Sequence, residues 1–162
     1  MERQIDEMPD LSKIYFIFLS VFILFYSQPI LANEINEDEN FVVFTMNNDL
    51  KDISKSRVRM LYRGKTKSIS GKRVELSDWP SDTEQREEFY KNLLGKTPAQ
   101  MNSYWASMSF SGKARPPKEL SHSDIGTLIE WLQEKNNRIG YAPQSLVPSD
   151  VNILYVLKAG AN

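Results

Sequence analysis

Residues 41–45 read FVVFT, four apolar residues and a β-branched threonine, closed off by Asn47, Asn48 and Asp49. A run this short, rich in β-branched and aromatic side chains and bounded by turn formers, predicts a buried strand rather than a helix. The folded part of the chain is therefore expected to start at Phe41.

Toward the C-terminus the periodicity changes. Ser54 is placed to cap a helix over about residues 55–62, with Val58, Leu61 and Tyr62 on one face and Gly64 just after its end. SGKRVEL (70–76) pairs a turn at Ser70 and Gly71 with a strand near residues 73–76. A second helix is expected to begin after Ser81 or Asp82, burying Phe89, Tyr90, Leu93 and Leu94 and stopping at Gly95. Pro98 opens a third, in which Met101, Tyr104, Trp105 and Met108 recur at helical spacing. GKARPPKEL (112–120) reads as an irregular surface loop, and Ser123 as the cap of a fourth helix that buries Ile125, Leu128, Ile129 and Leu132 and is ended by Asn136 and Asn137. RIGYA (138–142) and VNILYVL (151–157) close the chain as two strands. Helices interleaved with short apolar strands predict an α/β layered domain of about 120 residues, its sheet covered on at least one face.

Upstream of Phe41 the composition is different. NEINEDEN (33–40) is a polar, acidic spacer, and before it lies an uncharged run, IYFIFLSVFILF (14–25), continued by YSQPILA. An apolar run, a helix breaker and a small residue outline a secretory signal peptide, with cleavage expected after Ala32. Glu2, Asp6, Glu7 and Asp10 outweigh Arg3 and Lys13 ahead of the run, whereas an export signal begins basic; a start at Met8 would remove three of those acids. The alternatives are an uncleaved anchor over residues 14–32, close to the roughly 20 residues a spanning helix needs, and a buried core helix. Either export reading puts the domain outside the cytoplasm, in the periplasm or its equivalent, and argues against nucleic acid as a partner; contact with a membrane would come only through the N-terminal segment.

The length of 162 residues, 41% hydrophobic, with 7 Gly and 8 Pro, suits one globular domain. The net charge of −1 conceals a segregation: from Phe41 onward there are 18 basic and 13 acidic residues, a balance of +5. Seven cations and no acid lie between Arg57 and Arg73. Such a surface attracts anions in general. The absence of cysteine excludes disulfides, thiolate metal sites and a cysteine nucleophile. His122, the single histidine, has Asp124 nearby but no G-x-S-x-G element to supply a nucleophile, and no carboxylates show calcium-loop spacing. Catalytic residues, metals and cofactors are accordingly none.

The motifs LYRGK (61–65), RVELSDW (73–79), REEFY (86–90), LGK (94–96), Tyr104 with Trp105, FSG (110–112), RPP (115–117) and IGY (139–141) occur in one order. In that order they resemble the short relatives of the phosphate-binding component of phosphate ABC importers, over nearly all of residues 41–157. The resemblance implies a periplasmic-binding-protein-like α/β lobe with a short mixed sheet and flanking helices, exported, binding phosphate or a similar small anion without chemistry. It implies an ABC permease or another envelope protein as partner. Full-length members close two lobes over the anion and carry Ser-Gly-Thr at a helix start. This chain is about half their length and has DWPSDTEQREEF (78–89) at that place.

A helix start offers unpaired N–H groups and a positive dipole end to an anion. Ser81, Thr83 and Arg86 are the candidates there; the plainer alternative is that Ser81 or Asp82 only caps the helix and the following acids answer its dipole. Arg63, with Lys65 or Lys67, is a candidate in the basic window, against the alternative of a helix end and a solvated loop; Arg115 is a further cationic candidate. Trp79, Trp105 and Trp131, with Tyr62, Tyr90, Tyr104 and Tyr141, fall mostly on inward faces, leaving Trp79 as the aromatic residue to test for exposure. From a different class, the same fold without its ligand would be an interaction module docking through its basic surface.

Overall fold

The computed structural model of the protein describes residues 39–160. The expected export segment, its cut after Ala32 and nearly all of the acidic spacer lie outside the described residues. No helix among the described residues is long and apolar enough to cross a membrane.

FVVFT forms β1 (Phe41–Thr45), every residue of it buried. It is the second strand from one edge of a five-stranded sheet, antiparallel both to β6 (Arg138–Pro143) and to the edge strand β7 (Asn152–Leu157). On the far side of β6 lie β4 (Glu75–Asp78) and the edge strand β5 (Lys118–Glu119), both parallel to their neighbours. The sheet is mixed, and its middle is apolar on both faces because both are covered.

Alternation along β6 shows how. Tyr141 packs against Tyr62 of α1 (Lys55–Tyr62) and Phe89 of α2 (Glu84–Leu94), with the Phe89 and Tyr141 rings stacked at 3.5 Å between centroids. Gly140, its neighbour, points the other way, toward Leu128 of α4 (Ile125–Gln133) and Ser77. A Cβ at Gly140 would stand 2.6 Å from Leu128 Cδ1, so the bare glycine is what lets α4 lie close on that face. α3 (Pro98–Phe110) packs on α2 and begins with a capping box, in which Thr97 and Gln100 exchange side-chain-to-backbone hydrogen bonds.

Local chemistry agrees with several expected boundaries. Ser54 caps α1, accepting from the Arg57 N–H, and Gly95 stops α2 in the left-handed conformation at φ 63°. Ser70 (φ 48°) and Gly71 (φ 79°) turn a small hairpin, β2 (Ser68–Ile69) with β3 (Lys72–Arg73), through two positive-φ residues as tight hairpins require.

Three expectations need correction. The strand expected at 73–76 is two strands in two sheets. The Val74 N–H bonds back to Lys67 while the Glu75 N–H bonds to Asn137, so the chain changes partners between them. The loop at 112–120 ends in β5, because past Pro116 and Pro117 the backbone can pair again and does so with Ser77 and Asp78. The fourth helix is capped by Asp124, not Ser123, with its carboxylate 2.8 Å from the Thr127 N–H, and it ends at Gln133, ahead of Asn136 and Asn137. Trp79, singled out as the aromatic residue to test for exposure, is 1% exposed, its indole N–H donating to the Tyr141 carbonyl at 2.7 Å, so it belongs to the core. At the sheet edge, a register shift opposite Val43 and Phe44 and a bond from the Ile53 N–H to the Leu154 carbonyl interrupt β7 as a template for another strand.

Candidate functional site

The C-terminal ends of β4 and β6 converge on one carboxylate. Asp78 is the last residue of β4, and its side chain is 3% exposed. It accepts hydrogen bonds from the hydroxyls of Tyr90, at 2.8 Å, and Tyr141. The Arg86 Nε lies 3.3 Å from Asp78 Oδ2, an ion contact without hydrogen-bond alignment. Arg86 itself is 7% exposed, and its two terminal nitrogens go to Glu119 of β5 and Asn102 of α3. One residue of α2 thus ties together β4, β5 and α3.

Burial dominates the electrostatics of this cluster. Loss of water pushes the Asp78 carboxyl up to about 6, although Arg86, both tyrosine hydroxyls and the Trp79 N–H all favour the carboxylate. Tyr90, Tyr141 and Tyr62 are raised well above the usual phenol range, first by burial and then by the Asp78 charge. The Tyr62 hydroxyl has no hydrogen-bond partner among the described residues. A carboxylate with this much company holds the sheet to α2 and has no face left for a solute.

The start of α2 is less closed. Thr83 occupies the capping position with extended backbone, yet its side chain makes no cap; its hydroxyl donates to the Pro80 carbonyl at 2.8 Å. Ser81 is exposed and sits in the turn just before it. Glu84 and Glu87 stand in the first turn, where they answer the dipole. Ser81, Thr83 and Arg86 therefore do lie together at one helix start, but Arg86 is turned inward to Asp78 and Glu119.

Arg63 and Lys65 are elsewhere. Arg63 is the exposed C-cap of α1, and its carbonyl accepts from the Tyr104 hydroxyl at 2.7 Å. With Arg59 it borders a cavity of about 840 Å³ between α1 and α3, and with Arg59 and Lys65 a second one of about 310 Å³. Neither cavity is lined by Ser81, Thr83 or Arg86. The sequence signals of helix start and basic window are thus two places in the fold. His122 is exposed, its Nδ1 3.0 Å from the Ser121 hydroxyl, and no group of three or more potential metal ligands occurs among the described residues. The residue that sequence reasoning passed over is Asp78, which lies within a quoted motif but whose burial depends on Tyr90 and Tyr141, the latter 63 positions away.

No protein-family model and no curated protein sequence matches the chain. Solved structures do. The fold is similar to that of a phosphate ABC transporter substrate-binding protein with bound phosphate from Clostridium perfringens, with a TM-score of 0.52 and 16% identity over 74% of this chain and 46% of that one. It is similar also to an ABC-type phosphate transport receptor from Vibrio cholerae, with a TM-score of 0.53 and 8% identity over 72% of this chain and 46% of the receptor. The chain spans less than half the length of either protein. At such identities the likeness concerns the fold, and the fold is a periplasmic-binding-protein-like α/β arrangement with a five-stranded mixed sheet.

Proposed function

We propose that the protein is an exported, non-catalytic solute-binding domain that takes phosphate or a similar small anion at the start of α2. The supporting observation is that this helix begins, at the C-terminal end of β4, with a capping residue whose side chain leaves the first-turn N–H groups alone. Those N–H groups and the Ser81 hydroxyl are the donors for the anion. Thr83 joins them only by giving up its bond to Pro80, and Arg86, committed to Asp78 and Glu119, anchors the helix start from within. Arg63 and Lys65 contribute to the field that draws an anion in. The fold neighbours are phosphate-transport proteins, and the chain spans under half of each, so on this reading a second body completes the cleft. An ABC permease or another envelope protein would supply it. The division of the chain is a signal or anchor to residue 32, a spacer to residue 40 and the binding domain over 41–160.

Calorimetric titration of the full chain with phosphate and with sulfate tests this. Heat of binding is expected with at least one of them, weakened about ten-fold by Ser81→Ala, the loss of one hydrogen bond to a charged group. Absence of heat at millimolar concentrations of both would overturn the reading.

A further inference from the structure

The opposite ends of β4 and β6 border a third cavity, of about 870 Å³, walled by the β2–β3 hairpin and the Arg-Pro-Pro loop. Its cations are Lys67, Arg73, Arg115 and Lys118, apart from Arg138, which is held by Glu75 and Glu134. None of these four side chains takes part in a salt bridge or hydrogen bond among the described residues. The one carboxylate lining the cavity, Glu75, is already engaged by Lys135 and Arg138, which with hydrogen bonding hold it below the usual carboxylate range. Four unanswered cations around one concave surface focus a positive potential into it.

A second observation is independent of charge. Trp105, on α3, lines this cavity; it is 5% exposed, and its indole N–H has no acceptor among the described residues. A buried donor without a partner leaves its desolvation uncompensated, so a structure that keeps one gains when an acceptor arrives. The walls are otherwise suited to a flat group. Trp131 lines the same cavity with its ring held by the Arg138 guanidinium 4.4 Å from the centroid, and Pro116 and Pro117 add rigid apolar surface. The volume falls within the range of pockets for small organic ligands, and an inorganic anion alone would leave most of it to water.

The geometry points to a second binding site here, for an organic anion with a flat, unsaturated body and a phosphate or carboxylate head. Arg115, Lys118, Lys67 and Arg73 take the head, Trp131 and the two prolines flank the body, and a small turn of the Trp105 ring brings its indole N–H, closed to solvent in this structure, to an acceptor atom of the ligand. The site is separate from the start of α2 and does not depend on anion binding there.

The test titrates the full chain with 1-naphthyl phosphate, inorganic phosphate and 1-naphthol, following heat and the indole and backbone N–H resonances. 1-Naphthyl phosphate is expected to bind at least about ten-fold more tightly than either of the other two and to move the Trp105 indole signal. Arg115→Ala combined with Lys118→Ala, both exposed positions, weakens it about ten-fold, and Trp105→Phe weakens it while keeping an aromatic ring. Equal affinity for 1-naphthyl phosphate and inorganic phosphate, or saturation that leaves the Trp105 signal in place, overturns the proposal. Inorganic phosphate that shifts only the amides of Thr83 to Arg86 reports on the α2 site and, with no response of Trp105 to the naphthyl ester, also overturns it.

Discussion

The two ends of strands β4 and β6 handle charge in opposite ways. At the C-terminal end, Asp78 is enclosed by Arg86, Tyr90 and Tyr141, and Arg86 is used up by Asp78, Glu119 and Asn102. At the N-terminal end, Glu75 and Lys135 pair in the open beside the buried Arg138, and the side chains of four further cations around them pair with nothing among the described residues. One motif, RVELSDW, supplies Asp78 to the closed end and Arg73 and Glu75 to the open one, because a charged residue does not announce whether it will meet a partner. The difference teaches that charge at the closed end is committed to partners within the fold, while charge at the open end is available to something else.

The largest effect is expected from opening the closed end. Arg86→Ala leaves a buried carboxylate without its counter-ion, which costs about 3–5 kcal/mol in comparable buried pairs, read as a fall in the denaturation midpoint. A loss below 1 kcal/mol would mean that the two ends do not differ as described.

Next comes the pH response. The folded Asp78 carboxyl, at about 6, sits above its ordinary value of 3.8. Between these pH values the folded state holds more protons than the unfolded one, so this group makes stability fall as pH rises through the window; above about 6 the penalty is complete. The contribution is about 3 kcal/mol between pH 4 and 6, at 1.36 kcal/mol per unit. Asp78→Asn removes it, so the difference between variant and parent is expected to change across pH 4–6 and to level off above. A pH-independent difference would contradict the burial of Asp78 as the cause.

Between the two ends, Gly140→Ala should cost about 1–3 kcal/mol, because the new methyl meets Leu128 at 2.6 Å and α4 must move. The smallest effect is expected at the open end. Arg115→Ala, an exposed and unpaired position, should shift stability by no more than about 0.5 kcal/mol, while the same substitution reports on ligand binding. A larger shift would show that the open end is structural after all.

Much of the fold was legible because its signals are local. FVVFT, Ser54 ahead of α1, Gly95 after α2 and Pro98 at the start of α3 each act within a turn or two of themselves, and each was found where the sequence pattern put it. The misreadings share a cause that is not local. β5 exists because β4 offers it a free edge, and Val74 divides two strands because Lys67 and Asn137 take adjacent amides.

The candidate site divides along the same line. Ser81, Thr83 and Arg86 could be placed together at a helix start from spacing alone, since they are neighbours in the chain. That Thr83 would not cap, that Arg86 would face Asp78, and that Lys67 and Arg73 would gather with Arg115, Lys118 and Trp105 could not. By itself the sequence determined the α/β class, most helix boundaries and an excess of positive charge after Phe41, because propensity, capping and charge belong to residues and their near neighbours. Only the tertiary structure decided the sheet order and which charges are answered, because those depend on pairs far apart in the chain that burial brings within hydrogen-bonding distance.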